Sequence, residues 1–346
     1  MRIVVTGATG NLGTATLDAL AREPRVGSLV GLARRAPAPG RGETEFVRAD
    51  VEHDDLARLF RGADVVVHLA WLFQPTHRPE RTWRANVLGS LRVFDAVAEA
   101  GVPKLVCASS VGAYSPREDD VPVGEDWPTH GWPGAAYTRE KAYVERCLDV
   151  FERRNPAIDV VRVRPGFVFQ RAAASEQRRL FAGPFVPGSL VRPGLVPVLP
   201  DLPGLRMQVV HAADVGDALA RCVLRPVSGA FNIATGPVVD TRFVAGLLGA
   251  RPVPVPRALV RAALGGAWRL HLVPATPGLF DAVLRLPVMD TSRAAAELDW
   301  APRHDAADAL RAFFSGLRSG AGGGTEPLAA DHLRLREVAT GVGERP

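Results

Sequence analysis

The sequence predicts an α/β architecture, a doubly wound parallel sheet joined to a smaller lobe in its C-terminal half. Three observations carry this. The 346 residues exceed one average domain and can bury a large core. Short uninterrupted runs of Val, Leu and Ile alternate with segments of helical period, as in sheets covered on both faces. A glycine-spaced turn follows the first of these runs.

The opening "RIVVTGATGNLGTATLDALA" reads as strand, turn and helix, with Leu12, Ala15, Thr16, Ala19 and Leu20 at helical spacing. Gly7, Gly10 and Gly13 let the turn tighten and the backbone approach a pyrophosphate. The helix N-terminus, at Asn11 and Leu12, then offers N–H groups and partial positive charge. This is a Rossmann-type dinucleotide site. The second strand, "SLVGLARR", ends where an acid would bind the free 2′-hydroxyl of NAD, but the residues there are Ala33, Arg34 and Arg35. NADP is therefore favoured and NAD remains open; in so arginine-rich a chain the missing acid weighs more than the arginines.

A third strand, "TEFVRADV", closes on Asp50 and Val51. "DDLARLFRGADVVVHLAW" adds a short helix and a buried strand from Val65 to Leu69, with Ala70 beyond it. A helix from about Arg81 to Ala100 and a strand from Lys104 to Ala108 continue the alternation. In such sheets ligands sit beyond the carboxyl ends of the strands. Leu69 and Ala70 lie at one such end, and Ser109 and Ser110 at the next. His68 reads as a packing or hydrogen-bonding residue rather than a catalyst.

The helix "AAYTREKAYVERCLDVFERR" sets Tyr137 and Lys141 four residues apart on one face. The chain has two lysines among 42 basic residues, so a lysine at this spacing from a tyrosine is informative. A phenol is a poor acid–base catalyst at neutral pH, and a fixed ammonium is expected to lower its pKa. The compact amine would also reach cofactor ribose hydroxyls. A hydroxyl from the strand end completes the set, with Ser110 placed to polarise a substrate oxygen.

With GATGNLG, Asp50, "HLAW", Asn86 in "RANVLGS", "SSVGAY" and YTREK, the chain resembles the extended short-chain dehydrogenase/reductases, the NAD(P)-dependent epimerase/dehydratase group. "VRVRPGFVF", "VVHAADVGDAL", "AFNIATG" and "DTSRAAAELDWAP" continue the likeness in order, over nearly all of residues 1–318. The resemblance implies Ser110, Tyr137 and Lys141 as catalytic residues, with Ser109 the lesser candidate. It implies Gly7, Gly10 and Gly13 at the pyrophosphate, Asp50 and Val51 at adenine, and a structural or cofactor-supporting Asn86. A homodimer through a helix pair is also common in the group.

Two departures bear on the reaction. Dehydratases of the group present Thr-Asp-Glu where this chain has Ser110, Val111 and Gly112, which argues against dehydration. Sugar-nucleotide epimerases carry an arginine four before the residue matching His211; here it is Met207, with Arg206 adjacent. The Pro-rich apolar stretches at 178–208 and 257–280 suit either a greasy pocket or lobe packing. Trp127 and Trp132 either floor the pocket or pack on the sheet.

The expectation is an NAD(P)(H)-dependent oxidoreductase moving hydride at a carbinol or carbonyl carbon of a small molecule. A nucleotide-sugar epimerase using the same triad and a non-catalytic dinucleotide sensor are the alternatives. Residues 1–165 are expected to form the dinucleotide domain, with returning segments near 207–235; 166–318 would be mainly the substrate-binding lobe, and 319–346 a flexible tail. The net charge of +5 is spread along the chain with acids among the arginines, so neither nucleic acid nor a membrane is an expected partner. Three cysteines without CxxC spacing fit a reducing compartment as small apolar residues, with no metal site expected. The opening strand stands where a signal peptide would need an apolar run, so the cytoplasm is the default location.

Overall fold

The computed structural model describes residues 1–35, 44–74, 76–183, 185, 188 and 195–330. Seven strands form one parallel sheet: β1 (Arg2–Thr6), β2 (Ser28–Ala33), β3 (Thr44–Arg48), β4 (Val65–His68), β5 (Lys104–Ala108), β6 (Asp159–Pro165) and, after a long excursion, the strand Gly229–Ile233. Their order is β3, β2, β1, β4, β5, β6 and then 229–233. The order reverses between β1 and β4, and a crevice opens at such a reversal.

Side chains alternate across each strand, so one sheet feeds two cores. Ile3, Val5, Val65 and Val67 face Leu17 and Leu20 of α1 (Asn11–Leu20) and Val215 and Leu219 of the helix Ala212–Leu224. Val4, Val66 and Leu105 face Phe60 of α2 (Leu56–Phe60), together with Phe94 and Leu148 on the other side. Cys107 and Cys222 are buried free thiols and Cys147 is half-buried, as small apolar side chains should be.

The helix expected over 81–100 is divided. α3 (Pro79–Trp83) passes into a π-helical turn at 84–88 before α4 (Gly89–Glu99). The wider turn carries Asn86, which is fully buried. α5 (Ala136–Arg154) bears the Tyr–Lys pair.

Beyond β6, the strand β7 (Phe167–Phe169) joins Met207–His211 and Thr235–Val239 in a second, three-stranded sheet. A helix over Ala306–Ser319 covers that sheet through Ala309 and Leu310. Among the described residues no helix is long and apolar enough to cross a membrane.

The expected flexible tail is overturned in part. Ser319 closes the 306–319 helix, and residues 321–330 pack back onto the first domain: Leu328 is buried, and Thr325 donates from Oγ1 to the Thr9 carbonyl at 2.7 Å. Hydrogen bonds and an apolar anchor hold the segment, which composition did not disclose. Residues 331–346 lie outside the described residues, as do 184, 186–187 and 189–194 of the apolar stretch at 178–208. The other stretch is partly turned outward, with Leu259 and Leu270 exposed.

Candidate active site

Each glycine of the turn answers a different demand. Gly7 has φ +68°, and a Cβ there would lie 2.6 Å from the Ala70 nitrogen, because Leu69 and Ala70 lean across the reversal point. A Cβ on Gly13 would lie 2.2 Å from the Gly7 carbonyl oxygen. A Cβ on Gly10 would meet only that oxygen, at 3.5 Å, so packing within the chain does not require glycine there. Gly10 caps α1 without a side chain, and the first turn contains no acid. The cradle therefore fits a pyrophosphate, received by the N–H groups of Asn11, Leu12 and Gly13. The Asn11 side chain is used elsewhere: its Oδ1 accepts from Gln170 at 2.6 Å, tying the turn to the segment after β7.

At the far end of the crevice, Ala33 closes β2. Burial lowers the pKa of Arg34, opposed by the charge of Asp50. Arg35 donates from Nη1 to Oε1 of Glu326 at 2.6 Å, so the two arginines stand in different states. Asp50 Oδ1 accepts the Glu52 N–H at 3.0 Å and shapes the turn after β3. Val51 packs against Gly89.

The structure brings Ser110, Tyr137 and Lys141 together past the end of β5. Ser110 Oγ accepts the Gly112 N–H at 3.0 Å, leaving its own proton for another oxygen, and it stands beside Tyr137, with both side chains around Gly112. Gly112 is required, since a Cβ there would sit 2.8 Å from the Tyr137 ring. Lys141 Nζ donates to the Ala108 carbonyl at 2.8 Å and lies 3.4 Å from the centre of the Trp71 ring. Aromatic rings close the site. Phe73 stacks on Tyr137 at 4.9 Å, Trp71 meets it edge-on at 6.0 Å, and Phe181 packs against Phe73 at 5.7 Å.

Burial opposes the expected acidification of Tyr137. Burial pushes the phenol up to about 12, opposed by the hydrogen bond with Ser110, while Lys141 is not among the groups acting on it. Burial instead pulls Lys141 down to about 8. In a dry, aromatic setting desolvation exceeds the charge effect that helical spacing suggested.

The supporting groups were largely unread. Ser109 donates to Glu145 Oε1 at 2.5 Å, and the same carboxylate binds Arg164 at 2.9 and 3.0 Å. Ser109 is thus committed to a buried ion-pair network. Asn86 accepts the Leu72 N–H at 2.7 Å and donates to the Leu72 carbonyl at 2.8 Å and to Glu140 Oε2 at 2.6 Å. It clamps the loop that carries Trp71 and Phe73. His68 is buried neutral, pulled down to about 3, with Thr6 and Ser90 on its two ring nitrogens. Phe73, Phe181, Glu140 and Glu145 carry no local motif; the one signal for Glu145 is its place four residues beyond Lys141.

On the substrate side, Arg206 donates from Nη1 to Asp120 at 2.9 Å and stands just before the strand that begins at Met207. Trp127 packs with Val111 and Tyr114, and Arg285 covers Trp132 at 4.3 Å. Among the described residues no cluster of three His, Cys, Asp or Glu side chains forms a metal site.

Comparison with known proteins agrees with the fold. A UDP-glucose 4-epimerase of Mycolicibacterium smegmatis is 28% identical, over 88% of this chain and 94% of its own. A 4-hydroxy-2-methyl-3-oxo-4-farnesyl-3,4-dihydroquinoline-1-oxide ketoreductase of Stigmatella aurantiaca is 31% identical over 49% of this chain and 51% of its own. The structure of Thermus thermophilus UDP-glucose 4-epimerase in complex with NAD superposes with a TM-score of 0.66, at 25% identity, over 92% of this chain and 99% of that one. The model of the NAD dependent epimerase/dehydratase family matches residues 3–234, and the chain belongs to that enzyme family.

Proposed function

We propose that the protein is an oxidoreductase that reduces a carbonyl carbon, or oxidises the matching carbinol, in an apolar substrate. The observation that carries the reading is the Tyr137 phenol, set beside Ser110 and lined by Trp71, Phe73 and Phe181. A nicotinamide dinucleotide bound in the crevice supplies or accepts the hydride. Gly7, Gly10, Asn11, Leu12 and Gly13 would hold its pyrophosphate, Asp50 and Val51 its adenine, and Lys141 its nicotinamide ribose, with Leu69 and Ala70 along the groove.

The chain's own groups then divide the work. With its pKa raised to about 12, Tyr137 keeps its proton at neutral pH, which suits a donor to the oxygen of a carbonyl being reduced. Ser110 donates a hydrogen bond to that oxygen as it gains charge. The aromatic wall lowers the local polarity and strengthens both contacts.

Tyr137→Phe should lower turnover by about 10²–10⁴-fold while leaving dinucleotide affinity within about threefold. Unreduced turnover would remove Tyr137 from the mechanism.

Nucleotide-sugar epimerisation is the competing reading, favoured by the two UDP-glucose 4-epimerases. The diphosphate clamp argues against it, because Met207 takes the arginine's place and Arg206 is paired with Asp120. A side-by-side assay of apolar ketones and UDP-glucose decides, with consumption of reduced dinucleotide expected only for the ketones. For the cofactor itself, the expected NADP preference rests on the acid missing after Ala33 more than on Arg34 and Arg35, of which Arg35 is already engaged.

A further inference from the structure

We infer that the C-terminal segment 321–330 is part of the cofactor site, and that Glu326 supplies the acid missing from the end of β2, turning selection toward NAD(H). The inference rests on the reading of the crevice as a dinucleotide site. Two contacts from adjacent residues place the segment there. Thr325 Oγ1 donates to the carbonyl of Thr9, between Gly7 and Gly10 of the pyrophosphate turn, and both threonines are buried. Glu326 Oε1 accepts from Arg35 at 2.6 Å, at the adenosine end.

Two further contacts anchor the segment. Leu328 is buried, and its carbonyl accepts the Gly323 N–H, closing the segment on itself. Arg179, from the stretch that also supplies Phe181, donates to the carbonyls of Ala329 at 2.8 Å and Pro327 at 3.1 Å. The segment therefore runs from the glycine turn toward the far wall of the substrate site. It lies across the crevice.

Charge sets the direction of selection. A phosphate at the 2′ position brings nearly two negative charges and needs cationic partners. Of the two candidates by sequence, Arg34 and Arg35, a carboxylate already neutralises Arg35 and would repel the phosphate. A ribose with a free 2′-hydroxyl meets the opposite situation, since a carboxylate is the group that accepts its hydrogen bond. Among the described residues Arg35 is the only side chain bound to Glu326, whose side chain is half exposed.

The test measures dissociation constants for NADH and NADPH in the full-length protein by calorimetry. Glu326→Gln should shift the NADPH-to-NADH ratio of dissociation constants toward NADPH by about tenfold, because the amide no longer neutralises Arg35 or repels phosphate. In an Arg35→Ser background the same change should shift the ratio in the same direction but by only about threefold, because the bond to the ribose hydroxyl and the repulsion of phosphate remain while the release of Arg35 does not. Thr325→Val should weaken both dinucleotides alike and leave the ratio unchanged. An unchanged ratio in Glu326→Gln, with both dinucleotides still binding, overturns the role of Glu326. Undiminished affinity in Thr325→Val overturns the place of the segment in the site. Failure of the unaltered protein to bind either dinucleotide would instead overturn the reading of the crevice, and this inference with it.

Discussion

Two stretches of α5, one turn apart, treat charge in opposite ways. Glu145 is surrounded by Arg164, Arg162 and Ser109, which hold its carboxyl below the usual carboxylate range against the pull of burial. Tyr137 and Lys141 have one neutral hydrogen-bonding neighbour each and aromatic rings around them, so burial sets their protonation: the phenol is pushed up and the amine down. The first stretch is saturated with partners and rigid. The second is left short of partners, which is how a group stays able to exchange a proton at neutral pH.

The largest effect expected from breaking this contrast is at its saturated end. Glu145→Ala leaves the Arg164 guanidinium buried without its carboxylate, while Arg162 keeps Asp149 and Glu152, and should cost about 3–5 kcal/mol in urea unfolding. The folded pKa of Glu145 is lowered, so its contribution is complete above the unfolded value near 4.5 and is lost as pH falls through the folded one. The variant should accordingly lose part of the native protein's acid sensitivity. A stability loss under about 1 kcal/mol would mean that the network is not the brace described here.

The under-partnered end predicts a pH effect. With Lys141 pulled down to about 8, its ammonium is present below that pH and lost above it. Reductive kcat/KM, which reports the free enzyme, should therefore fall as pH rises through about 8. A profile flat to pH ~10 would show that burial does not govern this amine.

The smallest and sharpest test separates two adjacent serines. Ser110→Ala should cut turnover by about tenfold or more with stability within about 0.5 kcal/mol. Ser109→Ala should do the reverse, costing about 1 kcal/mol through its bond to Glu145 while turnover stays within about threefold. The same outcome for both variants would erase the distinction between the two ends of the stripe.

The half of the site built from near neighbours was legible in the sequence. Gly7, Gly10 and Gly13 lie within one turn and helix start, and Tyr137 and Lys141 within one helical turn, so spacing alone places them. Ser110 needed only the end of a strand. What could not be read depends on chain segments that meet across the fold. The stacking of Phe73 on Tyr137, the grip of Asn86 on Leu72 and the pairing of Glu326 with Arg35 have no local period to announce them. The pKa of Tyr137 was misjudged for the same reason. Helical spacing shows the amine nearby, but the rings packed about the phenol come from residues 71, 73 and 181, far from α5 in sequence.

The bond from Thr325 to Thr9 joins positions 316 residues apart. The turn's own residues are neighbours and can take shape locally, whereas this bond waits until Thr325 has been brought back onto them. A fragment that stopped short of Thr325 would contain every motif by which the turn is recognised and still lack this closing contact.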